Sequence, residues 1–215
     1  SDRTKDILEN FAKTHSNFKV LSLPLDLPTI ESPKKRALES AFKIAKNEVL
    51  LTLDADCLPK KSWITSMAGR FVDGIGIVQG PKQNNGKRTL PHLYQKLETL
   101  GYTAMEAAGF SFGHPLVASA ASLAYKKELF FKVGGFGDLI HLSSGDDDML
   151  IHKMLKIKGT KVCYNLDKDA VIETAPVHTW KALFNQRARW SSNGTNYESK
   201  FYIFLLTLIY TYYVW

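Results

Sequence analysis

Residues 48–56, EVLLTLDAD, form the stretch that decides the fold. Its unbroken apolar run predicts a strand at 48–53 that is buried on both faces, as the strands of parallel sheets are. Helical and apolar patterns alternate around it, with helices at 4–15, 33–45 and 61–71 and strands at 18–23 and 75–79. The second half is less regular, with helices predicted at 90–108, 126–133, 149–157 and 179–190 and a strand at 118–125. This order predicts an α/β fold with a mostly parallel, Rossmann-like sheet flanked by helices.

Two aspartates, Asp54 and Asp56, directly follow the predicted strand. In doubly wound folds, ligands bind beyond the carboxyl ends of the strands, so these side chains lie where a ligand is expected. Residues two apart in an extended segment point to the same side, and two carboxylates suit Mg²⁺ or Mn²⁺. The alternative is a pair of solvated loop carboxylates. The apolar strand in front of them favours the metal site.

A second acidic cluster, Asp146 to Asp148, precedes a predicted helix. Adjacent carboxylates repel one another, and a neighbouring negative charge raises the pKa of a carboxyl. One member of the cluster is therefore a candidate general base that works near neutral pH. The alternative is that the cluster only caps the N-terminus of the helix.

Gln186, Arg189 and Trp190 share one face of a predicted helix, because they are spaced i, i+3 and i+4. Arg187 lies off that face. A guanidinium can fork onto phosphate oxygens while an indole packs on a sugar ring, so the set suits a sugar diphosphate. A helix that lies beside a membrane and contacts lipid headgroups would carry similar residues, and this alternative stays open.

The chain of 215 residues has a formal net charge of +7, a hydrophobic content of 45% and two cysteines. These values suit one α/β domain without a disulfide framework. The positive charge indicates an anionic partner, for which a nucleotide diphosphate, acidic lipid headgroups and nucleic acid all qualify. We expect no nucleic-acid partner, because no basic stripe with interleaved aromatic residues is present.

The last stretch, residues 201–215, is apolar and carries no charge. It is shorter than the roughly 20 residues that cross a bilayer, but its tyrosines and tryptophan suit the membrane interface. We predict one domain over residues 1–196 and the start of a transmembrane or interfacial helix over 197–215. The alternative for this tail is a terminal helix buried in the core.

In chain order, Leu-Asp-Ala-Asp, Gly-Gly-Phe, Gly-Asp-Asp and Gln-x-x-Arg-Trp resemble the motifs of family 2 glycosyltransferases, the group of cellulose, chitin and hyaluronan synthases. The resemblance is strongest to bacterial membrane-bound members and covers residues 1–196. It implies a GT-A fold for a partial catalytic domain, with the family's first strand lying before Ser1. It therefore also implies that this chain alone binds nucleotide weakly.

The resemblance also implies roles for single residues. Asp54 and Asp56 would hold the metal and the donor diphosphate, and Asp147 would be the catalytic base. Further donor contacts would come from Lys34, Gln186 and Arg189, and acceptor contacts from Trp190 and Asp146. The sequence departs from the family pattern at four positions: Pro33, Glu39, Ser122 and Asp146.

The function expected from the resemblance is metal-dependent transfer of a sugar, with inversion, from a nucleotide sugar to a hydroxyl of a glycan or lipid. A UDP-sugar is the expected donor. The expected location is the cell inner membrane, and Lys200 with the basic catalytic region favours a domain on the cytoplasmic face.

Two alternatives to this function stay open. One is a membrane-anchored nucleotide-sugar-binding protein without activity. The other is a haloacid-dehalogenase-type phosphatase, which also places Asp-x-Asp after an apolar strand. The Cys57-Leu58-Pro59 that follows here does not match that second group.

Overall fold

The computed structural model describes residues 3–23, 32–142, 147–191, 200, 203–204, 207–208 and 211. Its helices are α1 (Thr4–Thr14), α2 (Pro33–Ile44), α3 (Trp63–Ala68), α4 (Leu90–Ser111), α5 (Lys127–Lys132), α6 (Asp148–Leu155) and α7 (Trp180–Ser191). Two short 3₁₀ helices span Ala120–Ser122 and Gly137–His141. The strands are β1 (Val49–Thr52), β2 (Cys57–Pro59), β3 (Ile75–Gln79), β4 (Lys82–Asn84), β5 (Leu123–Lys126), β6 (Lys161–Tyr164) and β7 (Ile172–Thr174).

The main sheet has the strand order β1-β5-β3-β6. Strand β5 is antiparallel to both β1 and β3, whereas β3 and β6 are parallel. It follows that β1, β3 and β6 all run in one direction and β5 runs against them. The carboxyl ends of these three strands and the start of β5 therefore lie at the same edge of the sheet.

A second, smaller sheet has the order β2-β7-β4. Strand β7 is antiparallel to β2 and parallel to β4. Both β2 and β4 follow closely after strands of the main sheet, so the smaller sheet extends from the edge where those strands end. No sequence pattern predicts this sheet, because its strands are only three residues long.

The two faces of the main sheet carry separate apolar clusters. Leu50 of β1 and Ile77 of β3 belong to one cluster, together with α5 and α6, and the neighbouring Leu51 and Val78 belong to the other. Successive strand side chains point to opposite faces, so each strand is covered on both sides. The expected burial on both faces is confirmed for the strand Val49–Thr52, whereas Glu48 and Leu53 at the ends of the predicted range are exposed.

Further features differ from the sequence-based expectations. Strand β6 was not predicted, and the strand predicted at 118–125 begins only at Leu123, after a 3₁₀ helix. Residues 18–23 do not pair into a sheet, and Phe18 instead packs edge-on against Phe11 of α1 with ring centroids 5.0 Å apart. A strand needs a neighbour that takes its backbone hydrogen bonds, and the described part of the chain offers none there. Helix α3 is shorter than predicted, whereas α4 continues to Ser111.

The tail over 197–215 lies largely outside the described residues, so its predicted helix and the boundary at 196 stay predictions. None of the helices in the described part of the chain combines the length and the apolar character that crossing a bilayer requires.

Candidate functional site

The candidate site lies at the edge of the main sheet where β1 and β3 end. Asp54 follows β1 after one residue, and Gly80 follows β3 directly. The Gly80 amide donates to the Ser122 carbonyl oxygen at 2.9 Å, and a Cβ at Gly80 would come within 2.6 Å of the Ser122 hydroxyl. Only glycine therefore lets the end of β3 approach the segment that leads into β5.

Asp54 and Asp56 sit on a tight turn after β1, closed by a hydrogen bond from the Cys57 amide to the Asp54 carbonyl oxygen at 3.0 Å. Their carboxylate oxygens and the Cys57 sulfur all lie within 4.8 Å of one another. Burial, followed by the charges of both aspartates, raises the pKa of the Cys57 thiol to about 11. The thiol therefore stays protonated, and the two carboxylates are the ligands that suit Mg²⁺ or Mn²⁺.

Lys34 lies beside this turn, with its ammonium 2.9 Å from a carboxylate oxygen of Asp54. Helix α2 is fixed in place through the next residue, the buried Lys35. The ammonium of Lys35 donates to the carbonyl oxygens of Leu139 at 2.5 Å and Leu142 at 2.9 Å. The sequence prediction that Lys34 and Asp54 belong to one site agrees with this contact.

Asp147 is the N-cap residue of α6 and is half-buried. Its carboxylate accepts hydrogen bonds from the Ala120 amide at 3.2 Å and from the Asp148 amide at 2.9 Å. Burial, followed by the negative charge of Asp148, raises the pKa of Asp147 to about 7. The sequence indicated that a neighbouring negative charge would raise the pKa of Asp147, and Asp148 does so. Removal of the Asp147 carboxylate from water is the larger cause of the rise.

The backbone of Ala120 joins the two acidic segments. The Thr52 hydroxyl donates to the Ala120 carbonyl oxygen at 3.2 Å, and the Ala120 amide donates to Asp147. Thr52 is the last residue of β1 and precedes Asp54 by two positions. Two hydrogen bonds therefore connect the strand that carries the Asp-x-Asp pair with the candidate base.

Ser119, the residue before Ala120, is linked to the helix that carries Trp190 through the side chain of Lys82. The Lys82 ammonium donates to the Ser119 hydroxyl at 2.9 Å and lies 5.7 Å from the centroid of the Trp190 ring. Tyr102 contacts the same indole edge-on, with centroids 6.3 Å apart. Residues 119–120 and Lys82 thus link the three segments that carry the predicted motifs.

Glu106 of α4 is a buried carboxyl that sequence reasoning missed. It accepts a hydrogen bond from the Tyr164 hydroxyl at 3.3 Å. Burial raises the pKa of Glu106, while the positive charge of Lys82 opposes the rise and the charge of Asp147 adds to it. Glu106 is therefore close enough to Lys82 and Asp147 for their charges to interact. One sequence pattern could have indicated that Glu106 is buried: polar residues recur along a single face of α4, at positions 92, 95, 99 and 106.

Helix α7 is held to α4 by an ion pair that the sequence prediction did not assign. Arg187 donates to both carboxylate oxygens of Glu98, with two of the contacts at 2.9 Å. Its guanidinium carbon lies 4.2 Å from the centroid of the Trp190 ring, and it also donates to the Gln186 side chain at 2.7 Å. Arg189 is exposed. Arg187, which appeared to lie off the functional face, therefore orients both Gln186 and Trp190.

Glu98→Gln is expected to lower the free energy of unfolding by about 1–3 kcal/mol, because a mostly buried guanidinium loses its charged partner. The Arg187 and Glu98 side chains are only 19% and 12% exposed. Chemical denaturation measures the change, and Glu9→Gln is the matched control in the exposed Lys5–Glu9 pair. An equal effect of the two substitutions would show that the Arg187–Glu98 pair contributes little.

Asp146 lies outside the described residues, and its predicted contact with the acceptor stays a prediction. The residues that sequence reasoning missed are Lys82, Glu98, Glu106, Ser119 and Ala120. Most of them form hydrogen bonds or ion pairs with residues that are distant in the sequence. Motif spacing along the chain therefore does not identify them.

The chain matches the family described as Glycosyltransferase like family 2 over residues 1–193. It therefore belongs to that family of glycosyltransferases. A curated relative, "Probable glycosyltransferase YdaM" of Bacillus subtilis (strain 168), is 24% identical over 208 residues, which is 94% of this chain and 47% of the relative.

Among solved structures, the mannosyltransferase PcManGT of Pyrobaculum calidifontis, in complex with GDP-Man and Mn²⁺, is similar at a TM-score of 0.61 and 19% identity. The likeness covers 89% of this chain and 49% of that one, and it confirms the expected GT-A fold. The chain thus spans about half the length of the relatives it matches.

Proposed function

We propose that this chain is the catalytic part of a metal-dependent, inverting glycosyltransferase that transfers a sugar from a nucleoside diphosphate to an acceptor hydroxyl. The observation that carries the proposal is the pair of hydrogen bonds through Ala120, which links the Asp-x-Asp strand to Asp147. This reaction needs two carboxylates that bind the donor and a base that accepts the acceptor proton, all at one edge of the sheet. Membership of the family supports the same reaction class.

The residues present fit a divalent cation. Asp54 and Asp56 offer two carboxylates on one turn, and Lys34 adds a positive charge next to them. When bound, Mg²⁺ or Mn²⁺ would neutralise the charge that develops on the departing diphosphate. Lys34 and Arg189 would contact the same phosphates, since ammonium and guanidinium groups stabilise anionic leaving groups. The Mn²⁺ in the complex of PcManGT agrees with this assignment.

Asp147 would act as the general base. The acceptor oxygen forms a bond to the anomeric carbon as the bond from that carbon to the diphosphate breaks, and the acceptor proton passes to Asp147. A carboxylate whose pKa is about 7 accepts a proton better than an ordinary aspartate does. One base and one cation therefore suffice, whereas hydrolysis of a glycoside needs a pair of carboxylates.

Trp190 and Asp146 would contact the acceptor, and Gln186 the donor. An indole packs well on the apolar face of a sugar ring, and Arg187 with Tyr102 holds this indole in place. The acceptor is proposed to be a glycan or a lipid. Membrane attachment and a cytoplasmic catalytic face at the cell inner membrane also remain proposals, supported by the apolar residues 201–215.

Turnover of a panel of UDP- and GDP-sugars tests the proposal, with the full-length protein in membranes and with and without Mn²⁺. We expect release of nucleoside diphosphate from at least one donor, coupled to glycosylation and dependent on the metal. Although a UDP-sugar is the donor that we propose, GDP-mannose belongs in the panel because PcManGT binds it.

Three outcomes would contradict the proposal. Donor binding without turnover under all conditions would indicate an inactive binding protein. Release of phosphate from simple phosphomonoesters would favour the phosphatase alternative. Transfer with retention at the anomeric carbon would leave the reaction class intact but overturn the inverting mechanism.

A further inference from the structure

Glu106 is a buried carboxyl that the proposed reaction does not use. It lies on α4, is only 2% exposed and accepts a hydrogen bond from the Tyr164 hydroxyl. A carboxyl in the protein interior costs free energy that an apolar side chain of similar size would not cost. Filling the core therefore does not account for Glu106, and the polar groups around it indicate what it does.

Glu106 faces the ends of two strands of the main sheet. Gln79 is the last residue of β3 and lies beside Tyr164, the last residue of β6, in the parallel pairing of these strands. The Gln79 amide nitrogen is buried and makes no hydrogen bond of ordinary geometry in the described part of the chain. It is nevertheless close enough to Glu106 to oppose the rise in the pKa of Glu106 that burial causes. Glu106 thus interacts with two neighbouring side chains at the edge where the candidate site lies.

Gln79 and Lys82 converge on Ser119. The side-chain oxygen of Gln79 accepts from the Ser119 amide at 3.2 Å, and the Lys82 ammonium donates to the Ser119 hydroxyl at 2.9 Å. The positive charge of Lys82 also acts on Glu106, where it opposes the effect of burial on the pKa. Ser119 is therefore held through its backbone and its side chain by two residues that both interact with Glu106.

The residue after Ser119 transmits this constraint to the candidate base. The Ala120 amide donates to a carboxylate oxygen of Asp147 at 3.2 Å, and Asp147 is the N-cap residue of α6. A shift of the backbone at residues 119–120 would lengthen or break this hydrogen bond. Reaction rates are sensitive to such shifts, since misplacing a reacting group by about 1 Å can cost roughly a hundredfold.

We propose that Glu106 is a positioning residue for the sugar transfer and acts on Asp147 through residues 119–120. The inference rests on the proposed function, in which Asp147 takes the acceptor proton. Glu106 orients Gln79 and Lys82, and these two side chains fix the backbone that donates to Asp147. Because this set of contacts does not include the Asp-x-Asp turn, Glu106 affects the rate of transfer and not the binding of the donor.

Glu106→Gln tests the inference in the full-length protein in membranes. The amide keeps the size of the side chain, but it replaces one acceptor oxygen by a donor and removes the charge that faces Lys82. We expect kcat to fall about tenfold to a hundredfold while the KM for the donor stays within about twofold. The matched control is Glu39→Gln, because Glu39 is a partly buried carboxylate that accepts from the Phe136 amide at 3.2 Å, outside this set of contacts. The control should keep kcat near that of the unaltered protein.

Exchanging the carboxylate and the amide should restore the rate. In the double variant Gln79→Glu with Glu106→Gln, the side chain at position 79 still accepts from the Ser119 amide. The side chain at position 106 still accepts from the Tyr164 hydroxyl, and the negative charge stays near Lys82. We expect kcat to return to within about threefold of the unaltered protein, since substitutions at one contact are not additive.

A further variant keeps the test decisive if Glu106→Gln does not fold. Tyr164→Phe keeps the aromatic ring in the core and removes the hydroxyl that donates to Glu106. It should lower kcat about threefold to tenfold, because Glu106 loses a hydrogen bond that orients it. Thermal unfolding of each purified variant shows whether it is folded.

The Asp147→Asn background separates a failure of this inference from a failure of the proposed function. Adding Glu106→Gln there should not lower the residual rate further, because its effect passes through Asp147. An equal further loss in that background would overturn the inference. A normal kcat in folded Glu106→Gln protein, with Asp147→Asn still slow, would also overturn it. Undiminished turnover in Asp147→Asn alone would instead contradict the role of Asp147 in the proposed function.

Discussion

Asp147→Asn is expected to lower the rate of sugar transfer by roughly a hundredfold to ten-thousandfold while leaving metal-dependent donor binding close to that of the unaltered protein. The substitution keeps the shape of the side chain and one of its two hydrogen bonds from the Ala120 and Asp148 amides, but it removes the group that takes the acceptor proton. Turnover and donor titration, measured on the same preparation, separate the two effects. Undiminished turnover would remove Asp147 from the mechanism.

The pH dependence gives this prediction a second readout. A base with a pKa of about 7 is protonated in acid, so kcat/KM should fall about tenfold per pH unit below neutrality. Asp148→Asn is the matched control, because it removes a neighbouring charge without removing the base. It should keep most of the activity and move the acidic limb to lower pH, since the charge of Asp148 raises the pKa of Asp147.

Stability should change with pH in the opposite sense to activity. The folded protein favours the neutral carboxyl of Asp147, because its pKa rises from 3.8 to about 7 on folding. This contribution to the free energy of unfolding is present in full below the unfolded pKa and is lost as the pH rises through about 7. The effect of Asp147→Asn on the free energy of unfolding should therefore be more favourable above neutrality than in acid, by on the order of 2–4 kcal/mol. Denaturant unfolding at the two pH values measures the difference.

The second large effect is expected when both metal-binding carboxylates are neutralised. Asp54→Asn with Asp56→Asn should abolish tight Mn²⁺ binding and lower transfer about a thousandfold, because the cation contributes several kcal/mol of charge stabilisation. Amides are weaker ligands for Mg²⁺ and Mn²⁺ than carboxylates are, and the two side chains lie on one turn. Calorimetric titration with Mn²⁺ and a transfer assay measure the two losses.

The chain contains its own control for this experiment. Asp167 and Asp169 are also spaced two apart, on the loop between β6 and β7, and both carboxylates carry the same charge as the predicted ligands. Asp167→Asn with Asp169→Asn should leave Mn²⁺ binding and transfer near normal. Retained Mn²⁺ affinity in the Asp54 and Asp56 variant would place the metal elsewhere.

Sequence patterns were most informative where a property is local. The apolar run before Asp54 predicts a strand with both faces buried, and the structure confirms it through Leu50 and Leu51, which pack into separate clusters. Residues 18–23 were predicted as a strand but do not form one. An apolar segment becomes a strand only where another strand accepts and donates its backbone hydrogen bonds.

The candidate site shows a similar limit. Spacing predicted that Gln186 and Trp190 share a face of α7, but it assigned Arg187 no role. The structure places Arg187 between Glu98 and the Trp190 ring, and Glu98 lies 89 residues earlier in the chain. The Arg187–Glu98 pair depends on how α4 and α7 pack against each other. The spacing of residues along either helix does not predict that packing.

The sequence by itself determined the kinds of residues available: two aspartates after an apolar strand, a later acidic cluster and an aromatic helix, in the order typical of family 2 glycosyltransferases. Only the tertiary structure decided that Thr52 and Asp147 both bond to the backbone of Ala120, and that Lys82 lies between Ser119 and the Trp190 ring. It also decided that α4 buries its polar face and exposes its leucines. Periodicity shows which residues share a face, because it follows from backbone geometry. Which partner that face meets depends on contacts between distant segments, which are formed only when the whole chain packs.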